Sequence, residues 1–224
     1  MGIWYSYIGK KSSLETNSSG RLIMPGSLCY PYTDDPSGIR GWKKTGIPGL
    51  PDGYVDDSEG FHKGCDYREA RLGDEIHYCE GSFYQTEDSV IHMMLRTDRD
   101  YLAVTESFDD GETWSEPQLT DYTDCQARFH FGRLPDGRYY GLSCPDPEGG
   151  RTPLVLATSE DGVEFDSHYV LGDEPSEGPR IPGHHKGGRY GYPYSHVLGE
   201  RVYVIYSIEK EDIALRQFEL GEFV

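Results

Sequence analysis

The apolar positions of this 224-residue chain fall in short runs broken by Gly, Pro, Asp and Ser, with almost no three-to-four spacing of the helical kind. The clearest runs are Tyr67–Leu72, Ile76–Tyr84, Val90–Leu95 and Tyr101–Thr105. A second set follows at Arg128–Leu134, Tyr139–Ser143 and Leu154–Ala157, and a third at Tyr194–Leu198, Arg201–Ser207 and Ile213–Phe218. Each has the length of a strand and is rich in β-branched and aromatic residues, so the pattern predicts successive antiparallel hairpins. Two earlier pieces, Ile3–Ile8 and Arg21–Cys29, read the same way. Between Asp34 and Gly64 no periodic segment is found, and a loop of that length in a compact domain points to function.

The turns between runs carry a signature. Ser107-Phe108-Asp109-Asp110-Gly111-Glu112-Thr113-Trp114 reads S-x-D-x-G-x-T-W. Ser107 and Asp109 are placed to bond the turn's own backbone N–H groups, Gly111 supplies a positive φ, and Trp114 anchors the next segment. Thr158-Ser159-Glu160-Asp161-Gly162-Val163-Glu164-Phe165 repeats the pattern in worn form, with Ser159, Asp161 and Gly162 retained and Phe165 where the Trp stood. The two serines lie about 50 residues apart, which is the length of one propeller blade. Asp109, Gly111, Thr113 and Trp114 with Ser107 complete the Asp box of the sialidase (BNR-repeat) superfamily, which the chain resembles from about Cys65 onward. The resemblance implies an all-β, Asp-box β-propeller of a six-bladed family, in which the box is a structural turn that does not touch substrate. The strand sets of residues 1–224 make three to four blades, and at roughly 40–50 residues per blade closing a six-bladed ring needs a longer chain. The expectation is therefore a single propeller domain, incomplete at its N-terminal side, which self-association could close.

Composition narrows the partners. A formal net charge of -18, spread without a block of like charge, argues against nucleic acid or an anionic membrane, whose phosphates need a basic face. A few arginines in a pocket still suffice for an acidic small molecule. No stretch is long or apolar enough to span a membrane, and no signal peptide is visible, so on this sequence the expectation is a cytoplasmic chain unless an upstream segment is missing. The five cysteines, Cys29, Cys65, Cys79, Cys125 and Cys144, include no C-x-x-C pair and are expected as buried thiols. No HExxH, spaced Cys/His set or EF-hand loop occurs, so neither a metal nor another cofactor is expected.

The resemblance also carries chemistry. Sialidases grip a substrate carboxylate with three arginines, use a tyrosine nucleophile activated by a glutamate, and take a proton from an aspartate. Carried over by position, Arg96 of Met93-Met94-Leu95-Arg96 is a carboxylate-binding arginine, Tyr192 of Gly191-Tyr192-Pro193-Tyr194 the nucleophile, and Glu69 its base. Arg151 and Arg180 are the further grips. Two features depart from the family pattern: Arg180-Ile181-Pro182 stands after the boxes instead of before them, and Ser207 stands where a glutamate is common. Histidines offer a different chemistry. His62, at the end of the long loop, His130 between Arg128 and Arg133, and His184-His185 each lie near a cation, as a base for β-elimination on a uronate requires. The function expected is thus a sialidase-like glycoside hydrolase acting on a terminal, acidic sugar. The alternatives are a lyase or other glycosidase on uronate-containing glycans, and a non-catalytic glycan-binding propeller.

Overall fold

The computed structural model describes residues 15–26, 28–49, 71–72, 76–183 and 186–223. It divides into two compact units, one through Thr120 and one from Asp121. In the first, β1 (Glu15–Thr16), β2 (Leu22–Ile23) and β3 (Tyr32–Thr33) form a small antiparallel sheet. A five-stranded sheet follows in chain order: β4 (Arg71–Leu72), β5 (Ile76–Gln85), β6 (Ile91–Thr97), β7 (Tyr101–Ser107) and β8 (Gln118–Thr123). In the second unit β9 (His130–Arg133), β10 (Tyr139–Ser143), β11 (Leu154–Ser159) and β12 (Ser167–Gly172) make a four-stranded meander. The last three strands, β13 (Tyr190–Leu198), β14 (Arg201–Ile208) and β15 (Asp212–Glu219), make another. Among the described residues no helix is long and apolar enough to cross a membrane.

Burial explains which strands the apolar pattern reveals. β10 and β11 are buried along their whole length and their sequences are mostly apolar, while β5, buried over seven of its ten residues, also buries Glu80 and Ser82. Each fully buried Leu, Ile or Met contributes about 1.5–3 kcal/mol. Leu95, Ile91 and Met93 do so in the first core, and Leu142, Leu154 and Leu156 in the second. The edge strands β8 and β12 have mostly exposed or half-exposed side chains and therefore no apolar run; the sequence reading does not find them.

The two signature turns close through their own polar groups. Ser107 Oγ donates to Asp109 Oδ1 at 2.9 Å and accepts from Gly111 N at 2.8 Å, while Asp109 accepts from Thr113 N at 2.8 Å and Thr113 Oγ1 at 2.6 Å. Trp114 then enters the core edge-on to Tyr30, ring centroids 4.6 Å apart. In the second turn Ser159 bonds Gly162 N at 2.9 Å, one residue earlier than in the first, and Asp161 accepts from Val163 N and Glu164 N at 2.8 and 3.0 Å. Phe165 packs edge-on against Tyr122 and Phe131, taking the place Trp114 has in the first unit.

Candidate functional site

The residues that the resemblance singles out fall in different settings. Arg96, on β6, is spent on an acid: its Nη1 lies 2.6 Å from Glu80 Oε2, and Glu80 is buried. Glu80 sits at a bulge in β5, between Cys79 and Gly81, with φ of 48°. That bulge turns the carboxylate toward Arg96, a partner the sequence does not advertise. Glu69 and His62, and with them His184 and His185, lie outside the described residues. His130, on β9, is buried, with Nδ1 2.8 Å from Ser195 Oγ, which in turn donates to the Tyr140 hydroxyl at 3.0 Å. Burial first, and the Arg128 cation second, push it down to about 3, so its imidazole is neutral and ties β9 to β13. Among the described residues no group of three or more His, Cys, Asp or Glu side chains could hold a metal.

Arg180 serves as an anchor. Its Nε lies 3.0 Å from Glu211 and its Nη2 2.7 Å from Asp212, and Glu211 also takes Lys186 Nζ and the Ile181 N–H, both at 2.8 Å. Only 3% of the Glu211 side chain is exposed. The hydrogen bond from Lys186, then that from Ile181 N–H, hold its carboxyl down at about 2. Because this value is depressed relative to an unfolded glutamate, the anchorage is complete above the ordinary glutamate range and is lost as pH falls through about 2. A carboxyl-carbon NMR titration of Glu211 is expected to show its midpoint there; a midpoint in the ordinary glutamate range contradicts the anchor.

Arg151 and Tyr192 are the two that share surroundings. Arg151 lines an open pocket of about 350 Å³ with Cys125, Gly150, Gly187, Gly188 and Lys210. Tyr192, 49% exposed at a bulge in β13, has its ring centroid 5.7 Å from Lys210 Nζ. The neighbouring Gly191 is close to the guanidinium: a Cβ there would stand 3.4 Å from Arg151 Nη1. Gly188 is required for the same packing, since a Cβ on it would stand 2.6 Å from Gly150 O and 2.7 Å from Arg151 Cδ.

The backbone around this pocket is strained in a concentrated way. Arg151, Tyr192, Glu209 and Lys210 have φ of 69°, 53°, 52° and 55°, a region that costs a non-glycine residue about 1–3 kcal/mol. The Glu209-Lys210 pair forms the tight turn between β14 and β15, closed by Glu211 N donating to Ile208 O at 3.0 Å. Its flanking carboxylates hold it. Glu209, itself buried, accepts from Ser176 Oγ and Glu177 N at 3.0 Å and faces Arg189 at 3.6 Å, while Glu211 takes the three groups already described. Lys210 is thus presented at the pocket by a turn that nothing in its local sequence predicts, because Gly or Asn would be the expected residue there.

No described residue hydrogen-bonds or ion-pairs with the Arg151 guanidinium; its electrostatic neighbours are the thiols of Cys125 and Cys144. Every other arginine whose side chain is described has a polar or aromatic partner. In a chain of net charge -18, a half-buried arginine with no carboxylate partner among the described residues stands apart from the rest.

Successive antiparallel meanders and the Ser-Asp-Gly turns that cap them are those of a sialidase-type β-propeller fold. The chain belongs to the BNR repeat-like domain family, whose model matches residues 3–204. Its fold is similar to that of the leech intramolecular trans-sialidase in complex with 2,7-anhydro-Neu5Ac, with a TM-score of 0.62 at 17% identity over 95% of this chain and 31% of that one. The Ruminococcus gnavus intramolecular trans-sialidase, in complex with oseltamivir carboxylate, gives a TM-score of 0.62 at 16% identity over 95% of this chain and 43% of that one. A NanB sialidase variant from Streptococcus pneumoniae gives 0.57 at 19% identity, over 94% and 30%. The present chain spans less than half the length of each, and at these identities the likeness is one of fold. Comparison with curated protein sequences gives no match.

Proposed function

We propose that this chain takes an acidic sugar, its carboxylate held in the Arg151–Lys210 pocket, as part of a sialidase-like, glycan-active protein. The observation that carries the reading is the Arg151 guanidinium, lining an open pocket with no carboxylate partner among the described residues. A bidentate carboxylate would satisfy it, and Lys210 adds a second positive charge. The exposed face of Tyr192 beside Lys210 offers the apolar side of a sugar ring a flat contact.

Hydrolysis follows in this reading if Tyr192 is the nucleophile and Glu69 its base, as the resemblance implies. A sialoside with a fluorogenic leaving group tests it. Release of free sialic acid by the full chain is expected, and Tyr192→Phe is expected to reduce it by at least about a hundredfold, as loss of a covalent nucleophile does. Wild-type turnover by the Phe variant sinks the nucleophile assignment. A second reading, glycan binding without turnover, is favoured by the exposed Tyr192 ring beside Lys210, which suits stacking on a sugar. Under it, the acidic glycan is retained on an affinity matrix and neither sialic acid nor an unsaturated uronate appears.

A further inference from the structure

The same pocket holds a pair of thiols that sugar binding does not use. Cys125 forms part of its wall beside Arg151, Gly150 and Lys210, and is half-exposed, whereas Cys144 is wholly buried behind it. Cys125 N donates to Cys144 O at 3.1 Å, and the two thiols hydrogen-bond each other. Both are reduced, so one reactive face opens to solvent and a second sulfur stands within reach.

We propose that Cys125 is a thiol-modification site that reacts with an anionic, low-molecular-weight disulfide entering the Arg151–Lys210 pocket, and that Cys144 resolves the product into a Cys125–Cys144 disulfide. The inference rests on the pocket's geometry and charge, not on the sugar reading. The division of labour follows from the surroundings. The hydrogen bond from Cys144, assisted by the Arg151 cation and backbone N–H, holds the Cys125 thiol below its ordinary range against the opposing effects of burial and the Asp124 carboxylate. Donation of that hydrogen bond and burial push Cys144 well up. Cys125 is therefore the thiolate and Cys144 the thiol in waiting. The Cys125 thiolate attacks one sulfur of the disulfide RSSR, forming Cys125–S–S–R and expelling RS⁻. Cys144 then gives up its proton, attacks the Cys125 sulfur and expels the second RS⁻. Two protein thiols are oxidised to one disulfide, and one RSSR is reduced to two RSH. The two cations at the pocket select the reagent: a disulfide of net negative charge is drawn in, and one of net positive charge is repelled.

The test exposes the folded full chain to oxidised glutathione and to cystamine, an anionic and a cationic disulfide, and follows intact mass. With glutathione the chain is expected to lose two hydrogen masses and to regain them on reduction with dithiothreitol. Peptide mapping of the oxidised wild type, which requires no variant, is expected to join Cys125 to Cys144. Cys144→Ser is expected to stop at the adduct carrying one glutathione, and Cys125→Ser to acquire neither adduct nor bridge. Glutathione is expected to react about tenfold faster than cystamine, a preference that Arg151→Gln reduces and Arg151→Gln with Lys210→Gln abolishes. A bridge to any other cysteine, a wild-type adduct that never closes, equal rates for the two disulfides, or no reaction until the chain is unfolded would each overturn the proposal.

Discussion

Arg151→Gln is expected to weaken binding of an acidic sugar ten- to about a hundredfold while leaving the corresponding neutral sugar unaffected. A hydrogen bond to a charged group contributes about 1.5–3 kcal/mol, and each 1.4 kcal/mol is about tenfold in affinity. Arg151 is half-buried in the pocket wall, so water screens the pair less than it would on an open surface. Glutamine keeps a polar side chain and most of the aliphatic stem but removes the charge, which separates electrostatic selection from loss of packing. The guanidinium makes no ion pair with the described residues, so the substitution strips no carboxylate of its partner and stability is expected to change little. Titration calorimetry against a uronate and its neutral hexose checks both halves. Equal loss for the two sugars would mean that Arg151 shapes the pocket without reading charge. Lys210→Gln is expected to have the smaller effect, since an ammonium is a point charge on a flexible stem and makes no fork.

Trp114→Ala is expected to be the most destabilising single change, at about 3–5 kcal/mol, the range for deleting a large aromatic from a packed core. Trp114 is 4% exposed and stands edge-on to Tyr30, in the same core as Ile23, Leu28, Met93 and Leu95. It is also the residue at which the Ser107–Asp109 turn delivers the chain to that core, so its loss removes the packing that the turn's hydrogen bonds direct. For the first unit this corresponds to a fall in thermal midpoint of roughly 10–20 °C. Phe165→Ala in the second turn is expected to cost less, because Phe165 is half-exposed at its contacts with Tyr122 and Phe131. Thermal melts of the two variants side by side decide this order; a mild effect at Trp114 would show that the turn is closed by its polar groups alone.

The strands easiest to read in the sequence are those whose surroundings are simplest. β6, β10 and β11 are mostly buried and announce themselves as apolar runs, and the two Ser-Asp-Gly turns mark where the strands before them end. β8, reading Gln-Leu-Thr-Asp-Tyr-Thr, lies toward solvent and has nothing to alternate against. Of the residues at and beside the pocket, Tyr192 is singled out by position in the resemblance and Arg151 as a further candidate grip. Lys210 and Glu80 are not. Each owes its place to a backbone feature, a tight turn with two non-glycine residues at positive φ and a β-bulge, that leaves no compositional trace. Arg96 and Arg180 look alike in sequence to Arg151, yet Glu80 takes the first, and Glu211 with Asp212 the second. Pairing across about 16 or 30 residues is a tertiary fact, visible only once the sheets have formed.

The central claim, that the pocket of Arg151 and Lys210 receives a carboxylate, is tested most directly by amide NMR. The ¹⁵N-labelled chain is titrated with N-acetylneuraminic acid and, separately, with its methyl ester, in which a methyl group replaces the negative charge. Saturable shifts confined to the Gly150, Arg151, Gly187, Gly188 and Lys210 amides, with the acid and not the ester, are the predicted result. Shifts centred elsewhere, or the same shifts with both sugars, would contradict it.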